Sequence, residues 1–464
     1  MNHGNFSTRR LDEEAALAAA FAFRGTVVTS VVLATLLVLG IGPSAGNASD
    51  FFVAPDGRDA SDGSKATPFA TIQRAQREVK PGDTVFIRGG AYAMREDQIA
   101  KKTSLYAYVV LLDKSGTKDA RIHYRAFPGE QPVFDFSKVT PAGLRIAAFY
   151  VPGSWVHVEG IEVTGVQVTL KGHTQSICFS NDGSHNFFER LRMHDGQAIG
   201  FYSVRGGDSL ILNCDAFRNH DYTSEDGRGG NVDGFGCHPV AGAKGNVFRG
   251  CRAWLNSDDG FDLISAAESV TIENCWAFHN GEASDGKRLA DGNGFKAGGY
   301  GSTPIERLPK VIPRHTIRFC LAVGNRSSGF YANHHLGGSD WFNNSAYRNG
   351  VNFNMLNRLP DNATDVPGYG HKLRNNLGYK GREQLANFDA AKSDAASNSF
   401  DLPVKDADFV SLNESMLAAP RSASGALPTI TFFHLATGSQ LIDRGVDVGL
   451  PYRAKAPDLG AFEK

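Results

Sequence analysis

The chain has 464 residues, and its 48 basic and 49 acidic side chains leave a formal net charge of −1. That balance excludes a nucleic-acid sleeve or a polybasic membrane binder, both of which need excess positive charge. Glycine (52) and phenylalanine (31) are abundant without collagen periodicity, which excludes a helical bundle and suggests short strands joined by tight turns.

Arg24 precedes an uncharged apolar run over residues 25–41, and the small residues Gly42-Pro43-Ser44-Ala45-Gly46-Asn47-Ala48 follow it. This pattern reads as an export signal over residues 1–48, cleaved after Ala48. At about seventeen residues the run is short for a membrane span, which needs ~20. A secreted, extracellular protein with no stable membrane insertion after cleavage is therefore expected, and an uncleaved anchor is the alternative. Further on, Pro68-Phe69-Ala70 leads into a helical pattern over residues 71–79, with Ile72, Ala75 and Val79 on one face. That short amphipathic helix is expected to cap the exposed end of the structure that follows.

A repeat then governs the chain. Asn213-Cys214-Asp215-Ala216-Phe217-Arg218-Asn219 is echoed at residues 250–256, 274–280, 319–325 and 343–349, with a degenerate copy at residues 375–379. The step is 24 residues from Ala253 to Ala277 and again from Ala322 to Ala346. Each copy alternates with the period of a strand and ends on an asparagine suited to a turn, where it tolerates the left-handed conformation and bonds its own backbone. Short strands and turns repeating at that length, with variable insertions, mark an all-β parallel β-helix. Asn219, Asn256, Asn280, Asn325 and Asn349 are expected to stack at one corner, with Cys214, Cys251, Cys275 and Cys320 stacked nearby. Buried thiols are favoured over disulfides. The β-helix is placed at residues 49–384, and residues 385–464 are read as a loop-rich C-terminal cover packed on the solenoid.

A second column repeats Gly-Phe at Gly200-Phe201, Gly234-Phe235, Gly260-Phe261, Gly294-Phe295 and Gly329-Phe330. Phenylalanine is expected to fill the interior and glycine to permit the bend. Preceding the glycines are Ile199, Asp233, Asp259, Asn293 and Ser328; following the phenylalanines are Tyr202, Gly236, Asp262, Lys296 and Tyr331. Strands ~4.8 Å apart would make Asp233 and Asp259 neighbours, and likewise Asp262 and Lys296, with Asp258 beside them. Stacked carboxylates repel and push one another's pKa upward. A hard divalent cation such as Ca²⁺, which accepts six to eight oxygens, resolves this better than Mg²⁺. Lys296 lies in the glycine-rich frame of residues 291–299, where metal charge and partial burial would lower its pKa and make it a general base.

These residues resemble polysaccharide lyase family 9, calcium-dependent pectate-lyase-like enzymes with a right-handed parallel β-helix. The resemblance rests on Asp233-Gly234-Phe235, Asn256-Ser257-Asp258-Asp259-Gly260-Phe261-Asp262 and Gly292-Asn293-Gly294-Phe295-Lys296, and on Phe52-Val53-Ala54-Pro55-Asp56-Gly57 at the start. It implies Asp233, Asp258, Asp259 and Asp262 as calcium ligands and Lys296 as catalytic base. Gly236-Cys237-His238 departs from the family pattern, where a lysine is expected. His238 is read as a substrate-binding residue, with a structural histidine as the alternative. The implied activity is β-elimination on an acidic polysaccharide by a monomeric enzyme, with pectate or polygalacturonate leading and rhamnogalacturonan I behind. The rivals are a β-helical glycoside hydrolase using paired aspartates and a non-catalytic surface solenoid that binds glycan.

Overall fold

The computed structural model describes residues 48–464, so the expected export signal, apart from Ala48, lies outside the described residues. Three sheets of twelve, ten and eleven strands share one interior, parallel throughout except for the antiparallel edge strand Lys101–Lys102. The first runs from Asp50–Val53 to Asp394–Ala396, the second from Gly90–Ala93 to Leu377–Tyr379, and the third from Lys101–Lys102 to Glu383–Ala386. The chain visits the sheets in turn. One coil is Val270–Glu273, Trp276–Phe278 and Phe295–Lys296; Thr316–Arg318, Leu321–Val323 and Ser328–Tyr331 stack on it in parallel register. This is the expected parallel β-helix. Among the described residues, no helix is long and apolar enough to cross a membrane.

The N-terminal end is closed by the helix Ile72–Glu78, where Thr71 as N-cap accepts a hydrogen bond from the Arg74 backbone. Ile72, Ala75 and Val79 join the interior apolar cluster, as their spacing predicts. Strand pairing continues past residue 385, to Asp394–Ala396. The repeat is faint there because only its polar column survives. Asn398 accepts from the Asn376 backbone and side chain, both at 2.9 Å, at the place that cysteine holds in earlier coils. Residues beyond form the cover: Phe409, Leu417, Phe432 and Leu441 pack on the outer face of the second sheet, against Phe217, Trp254, Trp276 and Phe278. Arg252 and Arg421 both bind the buried Asp215, and Arg252 also donates to the carbonyls of Leu417 and Ala419. This ion-paired cluster fixes the cover to the coil.

The repeat columns stack in register: Ala216, Ala253, Ala277, Ala322 and Ala346 are successive partners. Two expectations need correction. The left-handed residue at the asparagine corner is the one before it, Arg218 (φ 53), Leu255 (φ 54), His279 (φ 54), Gly324 (φ 61) and Arg348 (φ 56). The asparagines, already past the turn, bond to adjacent coils: Nδ2 of Asn219, Asn256, Asn280 and Asn325 each donates to Oδ1 of the next, at 2.9–3.2 Å. The Gly-Phe glycines, in turn, supply space and not a bend. A Cβ on Gly260 would lie 2.9 Å from that of Ala277 and 3.0 Å from Asn280 Nδ2, so the coil wall closes against the ladder only without a side chain there. Cys214, Cys251, Cys275 and Cys320 are buried free thiols, as are Cys178 and Cys237.

Asn280 illustrates what the ladder contributes. Its side chain accepts from the Asn256 backbone and side chain and donates to Ala253 O and Asn325 Oδ1, at 3.0–3.2 Å. Asn280→Ala strands buried partners on both sides and is expected to cost about 2–4 kcal/mol in urea unfolding. A loss below about 1 kcal/mol would mean that the ladder contributes little to stability.

Candidate active site

The corner between the second and third sheets is where long insertions leave the coil, and the acidic residues lie at its exit. From there the third-sheet strands run in register, with Phe235, Phe261, Phe295 and Phe330 as successive partners. Their rings stack inward at 4.9–5.0 Å between centroids. Side chains alternate along a strand, so the residue after each phenylalanine faces outward. Asp262 pairs with Lys296, and Lys296 with Tyr331.

The column before the glycines forms a hydrogen-bonded ladder. Asp233 Oδ1 accepts from the Asp259 backbone at 3.1 Å, and Asp259 Oδ1 accepts from the Asn293 backbone and side chain at 2.7 and 2.8 Å. Asn293 Oδ1 then accepts from the Ser328 backbone at 3.0 Å. Asp262 Oδ1 is held by the Ile264 backbone at 2.7 Å. Fixed in this way, Asp233, Asp259 and Asp262 each offer an oxygen within 4.8 Å of the others, and all three are buried. Lys296 Nζ sits 3.0 Å from Asp259 Oδ2 and 3.2 Å from Asp262 Oδ2. Asp259 Oδ2 makes no hydrogen bond; the Lys296 ammonium is its ion-pair partner.

Asp258 stands at the edge of the expected quartet. It is outside the set of mutually close oxygens, and its Oδ1 accepts from the Asp291 backbone at 3.2 Å. Next to Asp259 in a bend of the chain, it adds charge to the set. Burial, then Asp259 and Asp233, push its carboxyl well above the usual range. His238 stands beside the acidic set. It is buried, its Nδ1 pairs with the Tyr202 hydroxyl at 2.9 Å, and its Nε2 is 3.9 Å from Asp262 Oδ2. Two residues beyond Gly236, which pairs with Asp262, it lies on the same outward face as that carboxylate.

The electrostatics are lopsided. Burial and then the charges of Asp262 and Asp259 hold the Asp233 carboxyl well above its usual range. Burial also raises Asp259, to about 6, despite the opposing charge of Lys296. For Lys296, burial opposes the charged form but is outweighed by Asp259, Asp262, Asp258 and Asp233, so its pKa stands well above the ordinary lysine value. The lowered lysine pKa expected from the sequence is thus reversed where only the protein's own charges act. An oxygen-only donor set, dry and with more carboxylate than cation, fits a hard divalent ion. The part played by Asn293 went unassigned in the sequence, although its place in the Asp233–Asp259 column was the signal.

Residues 51–376 match the family model described as the Pel9A-like, right-handed β-helix region. A pectate lyase L of Dickeya chrysanthemi is 34% identical over 460 residues, covering 97% of each chain. Pectate lyase PEL9 of Emericella nidulans is 28% identical over 416 residues, 85% of this chain and 94% of that one. Among solved structures, a rhamnogalacturonan lyase superposes with a TM-score of 0.81 at 45% identity, covering 84% of this chain and 97% of its own. The pectate lyase Pel9A structure gives 0.73 at 32% identity, covering 90% and 97%. The buried acidic set and its lysine therefore sit in a member of the Pel9A-like right-handed parallel β-helix family, polysaccharide lyase family 9, and the chain is a polysaccharide lyase.

Proposed function

We propose that this lyase cleaves a uronate-containing pectic polymer by β-elimination, with calcium held by Asp233, Asp259 and Asp262 and with Lys296 as the base. One observation carries the reading: three buried carboxylates converge within 4.8 Å, with a single amine 3.0 and 3.2 Å from two of them. The hydrolase and glycan-binding alternatives lose their support with the family. Identity of 45% to a rhamnogalacturonan lyase, against 34% and 32% to pectate lyases, favours a rhamnogalacturonan backbone over polygalacturonate. The export pattern of residues 1–48 and a plant-wall type of polymer support action outside the cell.

Bound calcium supplies positive charge that neutralises the uronate carboxylate and makes the C5 proton alpha to it more acidic. Lys296 takes that proton on Nζ. The electron pair left at C5 forms the C4=C5 double bond, the C4–O bond breaks, and the departing oxygen takes a proton from water. Asp258 contributes field beside the ligand oxygens, and His238, paired with Tyr202, lies on the same face as Asp262 where a sugar would be held. Lys296 can accept a proton only after losing its own, and its aspartate neighbours resist that loss. The rate is therefore expected to rise with pH into the alkaline range.

Incubation with rhamnogalacturonan and polygalacturonate should yield product absorbing in the ultraviolet, and a chelator should abolish it. Lys296→Ala is expected to lower kcat by about 10²–10⁴; reducing ends released without absorbance would refute β-elimination. In calcium titrations, Asp258→Asn is expected to weaken binding about tenfold, and Asp262→Asn by clearly more. Equal losses would restore Asp258 to the ligand set.

The same carboxyls set a pH dependence of stability. Asp233, Asp258 and Asp259 have folded pKa values above their unfolded ones, so the stability they contribute is present below about pH 4. It is lost as pH rises through the folded values, about 6 for Asp259. Metals bind the deprotonated form, so calcium should raise Tm more at pH 8 than at pH 5. A larger rise at the lower pH would contradict the acidic set as the calcium site.

A further inference from the structure

Beyond the acidic set, a second concentration of charge occupies the same corner of the solenoid. A cavity of ≈ 380 Å³ is lined by Arg288, Asp291, Arg326, Ser327 and Arg382. Three guanidiniums face one carboxylate there, and among the described residues none of the three arginines has an ion-pair partner. Their nearest bonds are to backbone carbonyls: Arg326 donates to Leu289 and Ala290, and Arg382 to Gly350 at 3.3 Å. By contrast, Arg252 and Arg421 both pair with Asp215, and Arg249 and Arg318 both pair with Glu273. Three guanidiniums against one carboxylate in a single concavity are a concentration of positive charge in a chain of net charge −1.

Its position relates it to the reaction. The Asp291 backbone donates to Asp258, so the cavity wall is bonded directly to the acidic set. The third-sheet ladder runs from Asn293 to Ser328 and, through Val351, to Glu383, which places Arg326 and Arg382 at the start of the coils that follow Lys296. At ~4.8 Å per coil they stand about one and three steps along the axis from that lysine. A polymer whose reacting sugar lies at Lys296 and which extends toward the C-terminal end therefore passes over them.

We propose that Arg288, Arg326 and Arg382 form an anion-binding subsite that holds a uronate carboxylate of the polymer a few sugars away from the one being cleaved. The proposal rests on the functional reading above. Guanidinium presents a planar fork that matches a carboxylate bidentately, and the three arginines carry the charge that such a group lacks from calcium at this distance. A neutral sugar finds no complement there. The subsite consequently selects for acidic residues beyond the reacting one.

The test is calorimetric binding of a rhamnogalacturonan hexamer, with free or methyl-esterified uronate carboxyls, to Lys296→Ala protein and to the same protein carrying Arg288→Ala and Arg382→Ala. Arg326 is left intact because it holds the carbonyls of Leu289 and Ala290. Affinity should fall about tenfold, the size of one charge-assisted contact, and the two proteins should bind the methyl-esterified hexamer alike. Equal affinity for the acidic hexamer, or equal losses on both hexamers, would overturn the subsite. Absence of unsaturated product from the unmutated enzyme on every uronate polymer would instead mark failure of the functional reading.

Discussion

Coils stacked at about 4.8 Å press every side chain against its counterpart on the next turn, so each column must tolerate its own repetition. Asparagine does so well, because its donor and acceptor let Asn256, Asn280 and Asn325 bond in series. Phenylalanine does so by face-to-face stacking, as in Phe261 on Phe295. Aspartate does not, since two carboxylates at that spacing repel. In the column before the glycines the structural task is only to accept a backbone N–H from the next coil, and neutral Asn293 performs it at 3.0 Å. Asp233 and Asp259 perform the same task while carrying charge the fold does not need. That surplus, enlarged by Asp262 and Asp258, is what a cation and a uronate substrate would use.

The scaffold behind this surplus is stiff. Glycine lets the third-sheet wall close onto the alanine and asparagine columns, and the cover clamped through Asp215 braces the second sheet from outside. Carboxylates held by backbone N–H groups on such a wall keep their spacing without substrate, which is the preorganisation that electrostatic catalysis requires. Function and stability pull against each other at this point: the groups that would gather calcium are those that burial most penalises.

Much of this was legible in the residues because column chemistry repeats visibly. The phenylalanine stack, the asparagine ladder, the free thiols and the Asp262–Lys296 pairing all follow from aligning copies of one motif. What escaped was whatever depends on the third dimension of a single turn. Alignment cannot tell Arg218 from Asn219 as the left-handed residue, nor a glycine kept for a bend from one kept for clearance. It placed Asp258 with Asp259 because they are adjacent, and could not show that Asp258 stands beside the three mutually close carboxylates. The Lys296 expectation counted a metal's charge; from the protein's own groups alone, four carboxylates act on it at once and their combined field exceeds the burial that opposes it.

The central claim is that the acidic corner is a cation site shared with one amine. A crystal structure grown with calcium and read by anomalous scattering tests it most directly. A peak bound by oxygens of Asp233, Asp259 and Asp262, with Lys296 beside it, is the expected result. Density for the ion elsewhere on the solenoid, with those three carboxylates bonded only to Lys296, would contradict it.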